Sequence, residues 1–364
     1  MKACVISLGS ISSKWVVESL KKYFEVVDDI DLQKIEVSIT DKGWNLLYHG
    51  KKMESYDCVY LKGSFRYSNL LRTIATALEG KSYTPICAEA FTVGHDKIIN
   101  HIAFQKQNIP TPKTYLFPSL SSAKKFLKEG ATYPLIIKIP NGTQGKGVLF
   151  VDSYASASSI LDTLSALRQA FLVQEYVETG GSDIRAIVVG NKLCAAMVRK
   201  AQVGEKRANI HAGGEGVPFV ADEKTKKIAI AAAKATGAEI CAIDILLSSK
   251  GPVVIEANLS PGLQGITRAT KIDVAGEIAK FLFEQTKKFK MKKNGKEQEK
   301  IFQDLGIACS AQEGDKPSLI TNLEIKNGKL IIPKEIYSKC DFADFEEYYV
   351  ECERGKLTIK KMLD

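Results

Sequence analysis

Asp244, Glu256 and Asn258 are the residues of this 364-residue chain whose types and spacing most directly suggest chemistry. They lie in two largely apolar runs, residues 240–247 and 252–258, which read as a β-hairpin. With Ser249, Lys250 and Gly251 as the loop, Ser248 pairs with Pro252 and Asp244 falls opposite Glu256. Strand alternation then brings Asn258 to the face of Glu256. Like charges set opposite one another destabilise a sheet, so a cation is the natural compensation. Oxygen ligands with no His or Cys point to Mg²⁺ or Mn²⁺, and magnesium usually completes its shell with water and nucleotide phosphate. The other reading of the same residues is an inert pair neutralised by Arg or Lys.

A second set of residues suits an anion. Gly142, Gly145 and Gly147 form G-x-x-G-x-G, neither the Rossmann order nor a Walker A sequence. The strand–loop–strand context offers no helix N-terminus, but glycine amides and Lys146 could close over phosphates as a flap. A flexible hairpin turn is the alternative. Lys138 stands in the apolar run Leu135-Ile136-Ile137-Lys138-Ile139, where an unpaired ammonium is costly; it must snorkel, pair or meet an anionic ligand. Asp183 and Arg185, two apart, share one face of a strand, and Arg199, Arg207, Asn209 and His211 surround a donor-rich loop.

These residues need elements to hold them. Alternating strands and helices over the first 90 residues predict an α/β unit with a mostly parallel sheet: strands at 3–8 and 58–61, a helix over 15–24, and another through Leu70, Leu71, Ile74, Ala75 and Leu78. A helix at 95–107 leads into Pro110 and Pro112. Strands then follow at 135–139, 148–151, 171–177, 184–189 and 192–198, with helices at 156–167, 224–236 and 274–284. Residues 291–299 are polar and lysine-rich and read as a linker or frayed helix end. A small β-rich unit closes the chain, with strands at 323–325, 329–332, 348–352 and 357–359.

Composition bounds the rest. Hydrophobic residues at 45% and charged residues at 26% are the balance of a soluble globular protein, which excludes low-complexity disorder and collagen-like repeats. The formal charge is +9, yet residues 290–364 hold 14 Lys+Arg against 14 Asp+Glu, so the excess lies in the larger part. That excess favours an anionic ligand such as a nucleotide, with nucleic acid as the rival reading. Eight cysteines form no CxxC pair and follow no zinc spacing. With no signal-peptide pattern in the first residues and no apolar run near the roughly 18 residues a membrane span needs, a soluble cytoplasmic protein is expected.

Taken in order, the stretches Asp96-Lys97, Lys138 with the loop at 141–147, Gln174-Glu175-Tyr176-Val177, Asp183-Ile184-Arg185, Ala196-Met197-Val198-Arg199, Arg207 to Gly214, Asp244, and Glu256 to Gly262 resemble the RimK-like carboxylate–amine ligases of the ATP-grasp superfamily. The resemblance covers about residues 90–285. It implies an α/β and α+β architecture: an N-terminal α/β preATP-grasp domain (1–90), an ATP-grasp subdomain carrying the glycine loop (91–170) and a second carrying the metal site (171–289). A linker (290–320) would lead to a small domain at 321–364.

The resemblance also assigns roles. ATP would be held by Lys97, Lys138, Gly145, Gln174, Glu175, Tyr176, Val177, Asp183 and Asn209. Within that set Lys97 and Lys138 contact phosphates, the backbone of Glu175 and Val177 reads the adenine edge, and Asp183 accepts from the ribose. Asp244, Glu256 and Asn258 would hold two Mg²⁺ (or Mn²⁺) ions. The implied reaction phosphorylates a carboxylate to an acyl phosphate, which an amino-acid amine (glutamate or similar) attacks, leaving ADP and phosphate. Arg199 or Arg207 would stabilise the oxyanion of the tetrahedral intermediate. The sequence departs from the family around Lys62-Gly63-Ser64, where a proline–arginine pair is more usual, so the acceptor side is open.

Residues 323–361 resemble a degenerate AbrB-type swapped-hairpin unit, carried by the run Ile325 to Ile336 and the closing Leu357-Thr358-Ile359-Lys360. That family implies dimerisation through interleaved strands, hence a homo-oligomer. The tail is neutral while phosphate contact needs a positive face, so dimerisation or docking is favoured over DNA binding. The partners expected are an amino acid and a carboxylate acceptor, small or protein-borne, with no membrane. The alternative from another class is a nucleotide-binding regulator whose tail binds DNA or dimerises.

Overall fold

The computed structural model describes residues 1–41, 43–140, 147–200 and 215–304, together with the segments 324–326, 329–331, 348–353 and 356–361. The chain divides into two units, Met1–Gln298 and Glu299–Asp364.

The first unit begins with β1 (Lys2–Ser7), α1 (Ile11–Leu20) and β2 (Val26–Asp31), followed by β3 (Ile35–Thr40), β4 (Gly43–Tyr48), β5 (Lys51–Lys52) and β6 (Cys58–Leu61). Strands β2, β1 and β6 form the expected parallel sheet in that order. Helix α1 starts four residues earlier than the apolar spacing suggests, because Ser10 caps it by accepting from the Ser13 amide. The antiparallel β3–β4–β5 sheet was not foreseen. Helices α2 (Ser68–Leu78), α3 (Ala90–Val93) and α4 (Lys97–Lys106) follow. Asp96 caps α4 by accepting from the amides of Ile98 and Ile99 at 2.8 and 3.0 Å, which fixes Lys97 at the first helical position.

Next come β7 (Thr114–Tyr115), α5 (Leu120–Glu129), β8 (Leu135–Lys138), β9 (Val148–Val151), α6 (Tyr154–Ala166) and β10 (Leu172–Glu175). They build an antiparallel sheet in the order β7-β10-β8-β9. One face, with Leu135, Ile137, Val151 and Val173, packs with residues of α5 and α6 in a core of its own. Ile136, Lys138, Leu172 and Gln174 belong to the other face.

The third layer comprises β11 (Ser182–Val189), β12 (Lys192–Lys200), β13 (Glu215–Pro218), α7 (Glu223–Thr236), β14 (Ile240–Ser248), β15 (Gly251–Asn258), α8 (Gln264–Thr270) and α9 (Val274–Asp304). Its antiparallel sheet runs β13-β12-β11-β14-β15 and shares one continuous core with the N-terminal part, from Ala3 in β1 to Leu282 in α9. The stretch 291–299, read as a linker or frayed helix end, is helical: Lys, Glu and Gln carry enough helix propensity to extend α9 without an apolar stripe. Among the described residues no helix is long and apolar enough to cross a membrane.

In the second unit, β16 (Glu324–Lys326) pairs with β17 (Lys329–Ile331), and β18 (Tyr348–Glu353) with β19 (Lys356–Lys361), both antiparallel. The expected Ile332-Pro333-Lys334 helix start lies outside the described residues.

Candidate active site

Asp244 and Glu256 face each other across β14 and β15 as the spacing predicts, and Asn258 lies opposite Ala242 on the same face. The turn that delivers this register differs from the expectation. Leu247, not Ser248, pairs with Pro252, and Ser248 pairs with Gly251 around a tighter turn. The Ser248 hydroxyl donates to the Gly251 carbonyl at 2.7 Å, and Gly251 takes a φ of +113° that side-chain-bearing residues rarely adopt. Left uncorrected, that one-residue slip would turn Glu256 to the opposite face. A β-bulge between the Ile245–Val254 and Asp244–Glu256 pairs leaves Ile255 as the extra residue and restores the alignment.

The neighbouring strands add to this face. Arg185 on β11 lies opposite Asp244, and Asp183, two residues earlier, lies opposite Arg199 on β12. Their side chains form one network. Arg185 grips Asp244 in bidentate fashion, Nε to Oδ1 at 2.9 Å and Nη2 to Oδ2 at 2.8 Å. Arg199 Nη2 donates to Asp244 Oδ2 at 2.9 Å and also to Asp183 Oδ2, while its Nε reaches Asp183 Oδ1 at 2.6 Å. Burial works to raise the Asp244 pKa, but the guanidinium of Arg185, then that of Arg199, outweighs it and holds this carboxyl well below the usual carboxylate range. Burial moves Asp183 upward, against its hydrogen bond from Arg199, and the Asp244 charge adds to the rise.

Two lysines approach from elsewhere. Lys97 Nζ sits 3.4 Å from Glu256 Oε2. Lys138 is only 7% exposed, and among the described residues its ammonium has no hydrogen-bond or ion-pair partner. Burial lowers its pKa to about 8, with Lys97 adding to the fall and Glu256 and Asp244 opposing it. Lys62 at the end of β6 is also buried; it donates to the Pro261 carbonyl at 3.2 Å, and burial lowers it to about 8. Beside it, the Gly63 amide donates to Ser260 Oγ at 2.8 Å, so the departure at Lys62-Gly63-Ser64 docks onto the loop that follows Asn258.

Of the other expected nucleotide residues, Gln174 closes β10 on the face of Lys138, and Glu175 ends the strand. The Glu175 amide is committed to the Lys113 carbonyl at 2.9 Å. The Tyr176 ring packs edge-on against Phe150 at 5.1 Å, and Val177 follows on the loop. Gly145, Arg207 and Asn209 lie outside the described residues. The glycine loop is closed at its base by the Ile139 amide donating to the Gly147 carbonyl at 2.8 Å.

The oxyanion role expected of Arg199 does not fit this arrangement. Its side chain is 8% exposed and paired with two carboxylates, so it braces Asp183 and Asp244 rather than offering an open cation. Arg185, singled out with Asp183 by its i, i+2 spacing but given no role, is the residue that grips Asp244. Asn100, whose Oδ1 accepts from the Ala257 amide at 3.2 Å between Glu256 and Asn258, gave no signal beyond being polar within a helix.

The donor set fits a divalent cation. Among the described residues no group of three or more His, Cys, Asp or Glu could hold a metal, so a site here has to use the amide. Glu256 keeps 37% of its side chain exposed, and the Asn258 amide oxygen accepts one bond, from Ser260 N at 3.1 Å. Asp244 accepts three N–H groups of the roughly four directions a carboxylate offers, leaving room on Oδ1.

Residues 94–282 match the RimK-like ATP-grasp domain. The chain is 32% identical over 300 residues to the "Probable alpha-L-glutamate ligase" of Thioalkalivibrio sulfidiphilus, covering 81% of this chain and 100% of that protein. It is 35% identical over 274 residues to the protein of the same name from Saccharophagus degradans, covering 74% and 90%. Its fold is similar to that of the ATP-grasp ligase PsnB solved with a minimal precursor, Mg and ADP, at a TM-score of 0.61 and 17% identity, covering 79% of this chain and 98% of PsnB.

Proposed function

The chain belongs to the RimK-like ATP-grasp family, and from that premise we propose that the charged face of β11, β12, β14 and β15 holds the metal-bound triphosphate of ATP for amide synthesis. The protein is an ATP-dependent, ADP-forming ligase that joins a carboxylate to an amine. The regulator reading finds no support, since the relatives are named as ligases.

The finer assignments are our reading. Glutamate, or a similar amino acid, supplies the amine, as the relatives' names suggest. Glu256, Asn258 and the open lobe of Asp244 hold two Mg²⁺ ions, which when bound neutralise phosphate charge. Lys97 and Lys138 bind phosphate oxygens. Lys138 is a buried cation with no ion-pair partner among the described residues, and an arriving phosphate supplies the missing counter-charge. The Glu175 carbonyl and the Val177 backbone read the adenine edge, with Gln174 and Tyr176 beside them, and Asp183 accepts from the ribose while still braced by Arg199. Gly145 and Asn209 complete the phosphate and ribose contacts. Arg207 takes the oxyanion role, because Arg199 is spent.

Phosphoryl transfer needs positioning and charge neutralisation rather than a protein nucleophile, which is what this set offers. The acceptor carboxylate attacks the γ-phosphorus and ADP leaves. The amine then attacks the acyl carbon and expels inorganic phosphate. We place the protein in the cytoplasm, where Cys4, Cys58, Cys87, Cys194 and Cys241 would stay the free thiols they are. We also propose that the AbrB-like hairpins, β16–β17 and β18–β19, pair two chains into a dimer; a monomeric mass in light scattering would refute it.

The observation that carries the reading is the Asp244–Glu256 pairing with two lysines converging on it. Incubation with Mg-ATP, hydroxylamine and a panel of carboxylic acids tests it. Acid-dependent hydroxamate with matching ADP is expected and identifies the acceptor; ADP release that no acid stimulates overturns it.

A further inference from the structure

Gln174 is held by two neighbours from separate elements. Its amide nitrogen lies 3.1 Å from His101 Nε2 on α4 and 2.8 Å from Thr114 Oγ1 on β7. Which end of the amide faces them is decided one bond further out. The Thr114 hydroxyl donates to the Pro112 carbonyl at 3.0 Å. A hydroxyl has a single hydrogen, so toward Gln174 the Thr114 oxygen acts only as an acceptor, and the group facing it has to be the NH₂. The second N–H of that NH₂ points at His101 Nε2, which therefore accepts. The ring proton then sits on Nδ1, buried without a partner among the described residues. Burial, with Lys138 and Lys97 adding to it, lowers His101 to about 4, so the ring stays neutral and Nε2 stays an acceptor.

His101 and Gln174 are 7% and 3% exposed, so the relay is shielded from competing water. The Gln174 carbonyl oxygen is the end left over. It makes no hydrogen bond among the described residues, on the sheet face that also carries Lys138.

We propose that His101 and Thr114 are positioning residues that lock the Gln174 amide with its carbonyl oxygen turned toward the nucleotide base, so that the site selects adenine over guanine. The proposal rests on the nucleotide reading given above. At the position where adenine carries the N6 amine, a donor, guanine carries O6, an acceptor. A carbonyl fixed in place bonds the first and confronts the second with another oxygen. A glutamine free to turn over would accommodate both, so the relay adds to whatever discrimination the fixed Glu175 carbonyl supplies.

The test measures binding of ATP and GTP, each with Mg²⁺, to the full chain by competition against a fluorescent ATP analogue. The wild type should favour ATP by about 100-fold, the range set by leaving a buried polar group unpaired. His101→Leu and Thr114→Val should each narrow that ratio about tenfold, the scale of one lost hydrogen bond. His101→Gln, which again offers an acceptor, should widen it back. A purely structural role would weaken both nucleotides alike and leave the ratio unmoved. Should His101→Leu fail to fold, Thr114→Val on the edge strand β7 carries the test. ATP binding with an unchanged ratio in the folded variants overturns the relay alone; a wild type that does not bind ATP overturns the nucleotide reading with it.

Discussion

The two antiparallel sheets that frame the site treat charge in opposite ways. On the β13-β12-β11-β14-β15 sheet, Asp183, Arg185, Arg199 and Asp244 satisfy one another before any ligand arrives. On the β7-β10-β8-β9 sheet, Lys138 is buried with no ion-pair partner among the described residues. The first sheet shares the large core of the N-terminal part, while the second has a core of its own. The difference separates two ways of building a site. One sheet keeps its geometry by internal pairing; the other holds a cation at the expense of stability, to be compensated on binding.

The largest effect should come where the paired sheet opens to solvent. Glu256→Ala is expected to lower ADP formation by at least about 100-fold, the scale of losing a preorganised electrostatic contact. Its melting temperature should stay close to the wild type, because the side chain is partly exposed; steady-state ADP release and a thermal scan check both. Full turnover would remove Glu256 from the site. Asp244→Asn tests the bracing. Removing one partner of a buried ion pair costs about 3–5 kcal/mol, so this variant should show a clear drop in denaturant midpoint as well as in activity.

Lys138→Met should move stability the other way. Replacing a buried, unpaired ammonium with an apolar chain of similar length is expected to stabilise the fold by about 1–3 kcal/mol while weakening ATP binding. Denaturation and nucleotide titration on one sample read the two signs; a destabilised variant would place Lys138 among the internally paired charges. The same lysine makes stability depend on pH. With the folded pKa near 8 and the ordinary value at 10.5, the unfolded chain binds more protons between these limits. Stability from this group is therefore absent below pH 8 and gained as pH rises toward 10.5. The advantage of Lys138→Met over the wild type should shrink across that window, measured as the difference in denaturant midpoint.

The same contrast separates what the sequence shows from what it hides. Asp244 opposite Glu256 is legible because strand period and turn residues set it locally. Lys138 is legible as an anomaly in an apolar run. The Arg185–Asp244 and Arg199–Asp244 pairs are not, because they join residues 59 and 45 positions apart whose strands become neighbours only in the folded sheet. Helix α1 began early because a cap outweighed the apolar spacing. The β3–β4 hairpin escaped although Val37, Ile39, Trp44 and Leu46 alternate along it, since polar residues separate them and leave no continuous apolar run of the kind read as a buried strand. The 3.0 Å bond from Thr114 to Pro112, which orients Gln174, has no trace in the sequence at all.

The bulge at Ile255 makes the hairpin tip and the carboxylate pair independent of one another. A residue gained or lost between Ser248 and Gly251 shifts the ladder only as far as that kink, which can tighten or relax to absorb a single step. Loop length at this end of the hairpin is thus free to drift over generations, or under an engineer's hand, while Glu256 keeps facing Asp244.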